Sequence, residues 1–244
     1  MKKIFIRRKD SWMQGMFDSA AKSYVLVNKV ITFGLDEKWR HSALKEITPR
    51  EECRILDICT GPADLVLKIA RKFPRLEIDA LDYSPEMLTI ADERAKKSGL
   101  SNIVFKECDV TGIKFEGAFF DYVTVSFGFR NLSFSPENLA GALKEVYRVL
   151  KPGGRFIIIE TSQPPNRFIR ALFHFYAKQL VPLAGRIVSR LKTPYNYLGN
   201  SIVKFYDEPG LLNVLESHGF KKIKIAPFLF GMVLLCVVEK EASS

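Results

Sequence analysis

The stretch that most constrains this chain runs from Arg54 to Asp64, Arg-Ile-Leu-Asp-Ile-Cys-Thr-Gly-Pro-Ala-Asp. A short apolar run, Ile55, Leu56 and Ile58, stops at a turn around Gly61, and apolar residues then recur at helical spacing at Leu65, Ile69 and Ala70. That pattern predicts a buried strand turning into a helix. At such a junction an α/β sheet can bind a nucleotide. The helix amino terminus presents free N–H groups, and a small residue in the turn lets a ligand approach the backbone. A second apolar strand, Glu77 to Asp82, ends on an acid, and Tyr83-Ser-Pro-Glu-Met87 opens a new helix. An acid at that strand end can accept hydrogen bonds from both ribose hydroxyls of an adenosine-containing ligand.

Two ligands satisfy that much, a dinucleotide and S-adenosylmethionine. The dinucleotide wants G-x-G-x-x-G, whose glycines admit a pyrophosphate to the helix terminus. This chain has Cys59, Gly61 and Ala63 at alternate positions, with Pro62 lacking an N–H. S-adenosylmethionine carries no phosphate and needs no cluster of N–H donors, so the turn favours the methyl donor. Cys59 reads as a small buried apolar residue of that turn rather than as a nucleophile.

The downstream segments extend the same sheet. Ile103 to Asp109 is a third strand ending in an acid, and Asp109 either accepts from an adenine amine or simply caps a turn. Phe120 to Gly128 is a fourth strand leading into Phe127-Gly-Phe-Arg-Asn131. Ligands sit beyond the carboxyl ends of strands in doubly wound sheets, which directs Arg130 and Asn131 into the substrate crevice. A helix from Pro136 to Leu150 follows, Lys151-Pro-Gly-Gly154 ends it, and a fifth strand runs from Arg155 to Glu160. Pro209 to His218 is a further helix. Ile223 to Phe228 and Met232 to Glu239 form a closing hairpin whose last strand is antiparallel in an otherwise parallel sheet.

Two segments fall outside this alternation. Ahead of the first strand, Met16 to Tyr24, Leu26 to Phe33 and Leu35 to Ile47 give three helical stretches after a basic, aperiodic start at residues 1–15. They predict a helical cap over residues 1–50, with residues 51–244 forming the binding domain. Between Thr161 and about Asn200, apolar residues from Phe168 to Leu191 recur at helical spacing, interleaved with Arg167, Arg170, Lys178, Arg186, Arg190 and Lys192. This helical insertion is expected to cover the substrate pocket, and a basic amphipathic helix can also rest on a membrane surface.

Composition narrows the classes further. No apolar run approaches the length of a membrane-spanning helix, and the amino terminus lacks the apolar core of a signal peptide, so the expected location is the cytoplasm, with the membrane surface a second option. Four cysteines lack C-x-x-C spacing and three histidines show no ligand pattern, so no metal site is expected. The net charge of +10 invites an anionic partner, nucleic acid or an acidic membrane surface, and equally fits a solvated lysine-rich surface.

With these segments placed, the chain resembles the class I S-adenosylmethionine-dependent methyltransferases, and within them the ubiquinone/menaquinone biosynthesis C-methyltransferase family. The resemblance is carried by Met16-Phe-Asp-Ser-Ala-Ala-Lys-Ser-Tyr24 with Asn28 and Phe33 to Arg40, by Ser126-Phe-Gly-Phe-Arg-Asn131, by Leu150-Lys-Pro-Gly-Gly-Arg155 with Glu160, and by Tyr195 to Ile202 with Phe205. It implies a Rossmann-like, mostly parallel seven-stranded sheet with an antiparallel last strand, and ring-carbon methylation of a polyprenylated quinol precursor. The methyl donor would be bound around Cys59, Gly61, Pro62, Asp82 with Tyr83, Asp109 with Val110, and Ser126. Arg130, Asn131 and Tyr24 would face the apolar or phenolic acceptor. The chain departs from the usual family pattern at Val25, at Cys59, Pro62 and Ala63 of the turn, and at Leu235-Cys236 in the last strand.

Other functions remain open at this level. A nicotinamide oxidoreductase is disfavoured by the turn. An RNA methyltransferase is disfavoured because the chain has neither a catalytic cysteine pair nor an Asn-Pro-Pro-Tyr motif. A non-catalytic relative that binds the donor is a third reading. Oligomeric state is left open, with a homodimer one option.

Overall fold

The computed structural model describes residues 8–49 and 52–242. The nucleotide-binding pattern is realised as a seven-stranded sheet: β1 (Ile55–Ile58), β2 (Ile78–Asp82), β3 (Ile103–Glu107), β4 (Phe120–Ser126), β5 (Leu150–Thr161), β6 (Phe220–Phe228) and β7 (Val233–Lys240). Their spatial order is β3-β2-β1-β4-β5-β7-β6. Strands β1 to β5 pair in parallel, and β7 runs antiparallel between β5 and β6. The reversal of strand order falls between β1 and β4, where the two chain halves leave in opposite directions and open a crevice above the strand ends.

Every residue of β1 is buried because helices cover both faces of the sheet. On one face Leu56, Ile58, Val123, Val125, Phe156 and Ile158 pack with α6 (Pro136–Val149) and α10 (Glu208–Glu216). On the other, Ile55, Ile157, Ile159, Leu235 and Val237 pack with α2 (Asp36–Lys45), α3 (Val66–Lys72) and α4 (Pro85–Lys97). The alternation follows from side chains pointing to opposite faces along a strand.

Three expectations are corrected. The stretches 16–24 and 26–33 are one helix, α1 (Arg8–Ile31), which begins inside the segment read as aperiodic. No glycine or proline separates the two stretches, and Met16, Ala20 and Val27 bury a single stripe along the helix. Residues 1–7 of the basic amino terminus lie outside the described residues. The fifth strand begins at Leu150, not Arg155: Lys151 to Gly154 form an irregular segment across which the register with β4 jumps from Phe120↔Leu150 to Tyr122↔Arg155.

The insertion after β5 folds as α7 (Arg167–Phe175), a π turn (Tyr176–Leu180), α8 (Val181–Ser189) and α9 (Thr193–Lys204). Helix α1 packs against α4, α8 and α9, so the amino-terminal segment and the insertion form one cover over the strand ends. Helix α2 packs instead on β5, β7 and α3. The short α5 (Phe129–Leu132) carries Arg130 and Asn131 directly after β4. No helix among the described residues is long and apolar enough to cross a membrane.

Candidate active site

Cys59, Gly61 and Ala63 all adopt left-handed backbone, with φ of +51°, +53° and +68°. This is the conformation that favours glycine, so the turn keeps the shape of a glycine-rich loop although two of its three positions carry side chains. Each non-glycine residue there costs about 1–2 kcal/mol. The shape is held by Asp82, whose carboxylate accepts from the Gly61 N–H at 2.7 Å and from the Ser84 N–H at 2.9 Å. The second strand thus clamps the turn that follows the first.

Around that turn lies a chamber lined by Asp57, Cys59, Gly61, Pro62, Asp64, Asp82, Tyr83, Asp109, Val110, Ser126 and Asn131. Helix α1 closes it with Met13, Phe17 and Tyr24. At the end of β2 the chain holds that helix: Gln14 donates to the Tyr83 carbonyl at 3.0 Å, and the Ser84 hydroxyl donates to Asp18. Asp109 performs the turn role, with Oδ1 accepting from the Thr111 N–H at 2.8 Å and its hydroxyl at 2.9 Å, while still lining the chamber.

Among the described residues, four aspartates face this chamber against one cation, Arg40, which is itself engaged by Asp36 and Asp64. Burial raises the Asp82 carboxyl, opposed by its backbone hydrogen bonds. Burial likewise raises Asp57 to about 7, opposed by the hydrogen bond from the Thr124 hydroxyl. A pyrophosphate would meet net repulsion here, whereas the sulfonium and ammonium of S-adenosylmethionine would neutralise the acids. The chamber fits the methyl donor and disfavours a dinucleotide. Burial and the nearby carboxylates push the Cys59 thiol well above its ordinary value, which leaves it a poor nucleophile.

A second cavity of about 350 Å³ opens beside the first. That volume lies at the lower end of the roughly 300–1,000 Å³ of ligand pockets. Its walls are largely apolar: Ile31 at the end of α1 and Phe33 just after it, Leu35 at the amino-terminal cap of α2 and Trp39 within it, Leu172, Phe173 and Tyr176 of the insertion, and Met232 and Val233 where β7 begins. The π turn after α7 turns Tyr176 toward α1, where its hydroxyl donates to the Ile31 carbonyl. Tyr24, Arg40 and Phe127 line both chambers.

Arg40 is the partition between them. Its Nε donates to the Ser126 hydroxyl at 3.1 Å, its two terminal nitrogens pair with Asp36 and Asp64, and its guanidinium stands 5.4 Å over the Phe127 ring. Arg130 enters the apolar cavity. Glu160, fully buried at the end of β5, holds it by accepting from the Arg130 side chain at 2.5 Å and from its backbone N–H at 3.1 Å, leaving the buried Nε without a hydrogen-bond partner among the described residues. Burial raises the phenol of Tyr24, opposed by Arg130.

Arg130 and Asn131 therefore part company. Asn131 lines the acid-lined chamber and accepts from the Tyr197 hydroxyl at 3.4 Å, while Arg130 lines the apolar cavity. Sequence reasoning missed Asp57, Asp64 and the partition role of Arg40. An acid inside the continuous apolar run of a central strand was the available signal for Asp57, since such a position tolerates a charge only with partners or a role. Among the described residues no cluster of three or more His, Cys, Asp or Glu side chains could hold a metal ion.

Comparison with known proteins decides the family. Residues 6–240 match the model of the ubiE/COQ5 methyltransferase family. The chain belongs to that family. Relatives include the "Ubiquinone/menaquinone biosynthesis C-methyltransferase UbiE" of Geotalea uraniireducens, 34% identical over 96% of this chain and 99% of that protein. The demethylmenaquinone methyltransferase of Deinococcus radiodurans is 34% identical over 93% of this chain and 92% of its own. Solved structures share the fold at lower identity. The S-adenosylmethionine-dependent methyltransferase of Aquifex aeolicus aligns with a TM-score of 0.58 at 21% identity, covering 82% of this chain and 88% of its own. The [4+2]-cyclase SpnF aligns at 0.69 and 14%, covering 95% and 96%. The fold class, the methyltransferase activity and the S-adenosylmethionine donor expected from the sequence all hold.

Proposed function

We propose that this protein methylates a ring carbon of a hydroxylated aromatic with an apolar tail, a quinol precursor of the ubiquinone or menaquinone kind. The observation that carries the reading is the junction of an acid-lined chamber with an apolar one at Tyr24, Arg40 and Phe127. One chamber suits a cationic donor and the other an apolar acceptor, and the junction is where their reacting groups would meet. The names borne by the relatives point the same way.

When bound, S-adenosylmethionine supplies an electrophilic methyl group on a sulfonium. Cys59, Gly61, Pro62, Asp82, Tyr83, Asp109, Val110 and Ser126 would hold it, with Asp57 and Asp64 adding negative charge. The protein's task is alignment and exclusion of water, because in-line displacement needs no covalent nucleophile. A phenolic ring becomes nucleophilic at carbon as its hydroxyl loses a proton. The buried guanidinium of Arg130, with its unpaired Nε, is suited to stabilise that developing oxyanion. Tyr24 and Asn131 position the ring and the donor on either side. Helix α1 and the insertion at residues 161–200 act as a cover on the binding domain, and the acceptor's tail implies work at a membrane surface.

The test is turnover of reduced demethylmenaquinone with S-adenosylmethionine, read as one added methyl group by mass spectrometry. Arg130→Ala is expected to lower kcat by about 10²-fold, the effect of losing one oxyanion donor. Donor binding by calorimetry should stay intact. Because Arg130→Ala strands Glu160, Arg130→Lys serves as the folded control that retains charge. Full turnover in both variants would remove Arg130 from the chemistry.

A further inference from the structure

We propose that the outer face of α1, α7, α8 and the turn at Leu229–Gly231 docks on an anionic lipid bilayer, and that the acceptor enters its cavity from that bilayer. The proposal rests on the quinol reading for the acceptor's tail, while the lipid contact itself stands without it.

The first observation is exposed apolar surface at helical spacing. Phe168, Leu172 and Phe175 form one stripe on α7, with Phe168 72% exposed. On α8, Leu183 and Ile187 continue it, the latter 72% exposed. Leu26 and Val30 of α1 and Phe33 just after it form a third stripe, and Phe230 is 76% exposed in the turn. Helix α1 packs on α8, and α7 and α8 are joined through the π turn, so the stripes belong to one assembly of helices. Soluble surfaces rarely expose this much contiguous apolar area unless something covers it.

The second observation is where the acceptor cavity opens. Phe33, Leu172 and Leu229 are exposed and also line that cavity. Its mouth therefore lies among the exposed apolar side chains, where a tail can remain in hydrocarbon while the ring passes inward to Tyr24.

The third is charge, which selects the occupant. From Thr161 to Tyr206 the chain contains no Asp or Glu, against seven Lys and Arg: Arg167, Arg170, Lys178, Arg186, Arg190, Lys192 and Lys204. Arg167, Lys178, Arg186 and Arg190 are exposed. A second copy of this face would bring the same acid-free segment and repel it. Nucleic acid would satisfy the cations and strand the apolar stripes. Anionic headgroups above acyl chains complement both features, as for amphipathic helices lying in the interface.

The experiment is sedimentation of the full chain with vesicles of phosphatidylcholine alone or mixed with phosphatidylglycerol. Binding is expected to the anionic vesicles, to weaken with added salt, and to be lost in the triple variant Phe168→Ser, Phe175→Ser, Ile187→Ser. None of these three lines either chamber, so calorimetric binding of S-adenosylmethionine should be unchanged and certifies folding. Turnover of a tailed acceptor in vesicles should fall in the triple variant, with turnover of a truncated acceptor in water retained. Absence of vesicle binding, equal binding to both compositions, or wild-type binding by the triple variant overturns the proposal. So does a dimer in sedimentation velocity that the triple variant dissolves, which would assign the face to a second copy. Vesicle binding without turnover of any quinol would sink the substrate reading alone, and quinol turnover without vesicle binding the docking surface alone.

Discussion

Asp57 stands on β1 with its carboxyl raised to about 7, chiefly by burial and against the Thr124 hydrogen bond. A carboxyl raised in the fold stabilises the native state below its unfolded value and loses that contribution as pH climbs through about 7. Above that pH the chamber carries an unrelieved charge, and a cationic donor relieves it. Affinity for S-adenosylmethionine is therefore expected to rise up to about tenfold from pH 6 to pH 8. Calorimetry at the two values measures this, and Asp57→Asn should flatten the profile. A flat profile in the parent protein would mean that Asp57 does not face the donor's cation.

The turn residue Cys59 has a partner across the site. A methyl group placed on Gly128 would lie 2.5 Å from the Cys59 Cβ and 3.3 Å from its carbonyl oxygen. Gly128→Ala should cost about 1–3 kcal/mol of stability, typical of overpacking. Cys59→Gly in the same chain removes the nearest atom and should recover part of that loss. Chemical denaturation of the two single variants and the double variant reads the coupling directly; additive losses would mean that the two sites do not touch.

At the scale of elements, the cover is held by close helix approaches. A Cβ on Gly199 of α9 would lie 2.1 Å from the Ala177 carbonyl oxygen in the π turn. Gly199→Ala must push α9 away from that turn, and both elements line the acceptor cavity through Leu198, Ile202 and Tyr176. The expected outcome is a raised KM for the acceptor and a lowered Tm, with donor affinity unchanged because the donor chamber lies on the far side of Arg40. Steady-state kinetics with calorimetry separates the two; loss of donor affinity instead would show that the cover is not independent. Element boundaries were legible where punctuation is strong: Ser84 and Ser135 cap α4 and α6, and a proline follows each. They were not legible at α1, whose basic start lacks a stop signal or a clear period, nor at Lys151 to Gly154, where pairing with β4 overrides the usual reading of Pro-Gly-Gly as a break.

Across the whole molecule, the sheet, its antiparallel last strand and the small-residue turn after β1 were legible before any packing was known. Those features follow from local spacing: buried strands separated by helices, an acid at a strand end, small residues in a turn. Asp82, Asp109 and the Cys59–Ala63 turn were readable for that reason. The rest came from contacts between segments distant in the chain. Asp57 and Asp64 enter the donor chamber, Arg40 divides it from the acceptor cavity, and Glu160 holds Arg130 away from its neighbour Asn131. Adjacent residues on a single helical turn point about 100° apart, so sequence placed Arg130 and Asn131 together while the packing around α5 sent them to different chambers. The partition depends on residues more than eighty positions apart, such as Arg40 and Ser126, and no local period encodes a contact of that range.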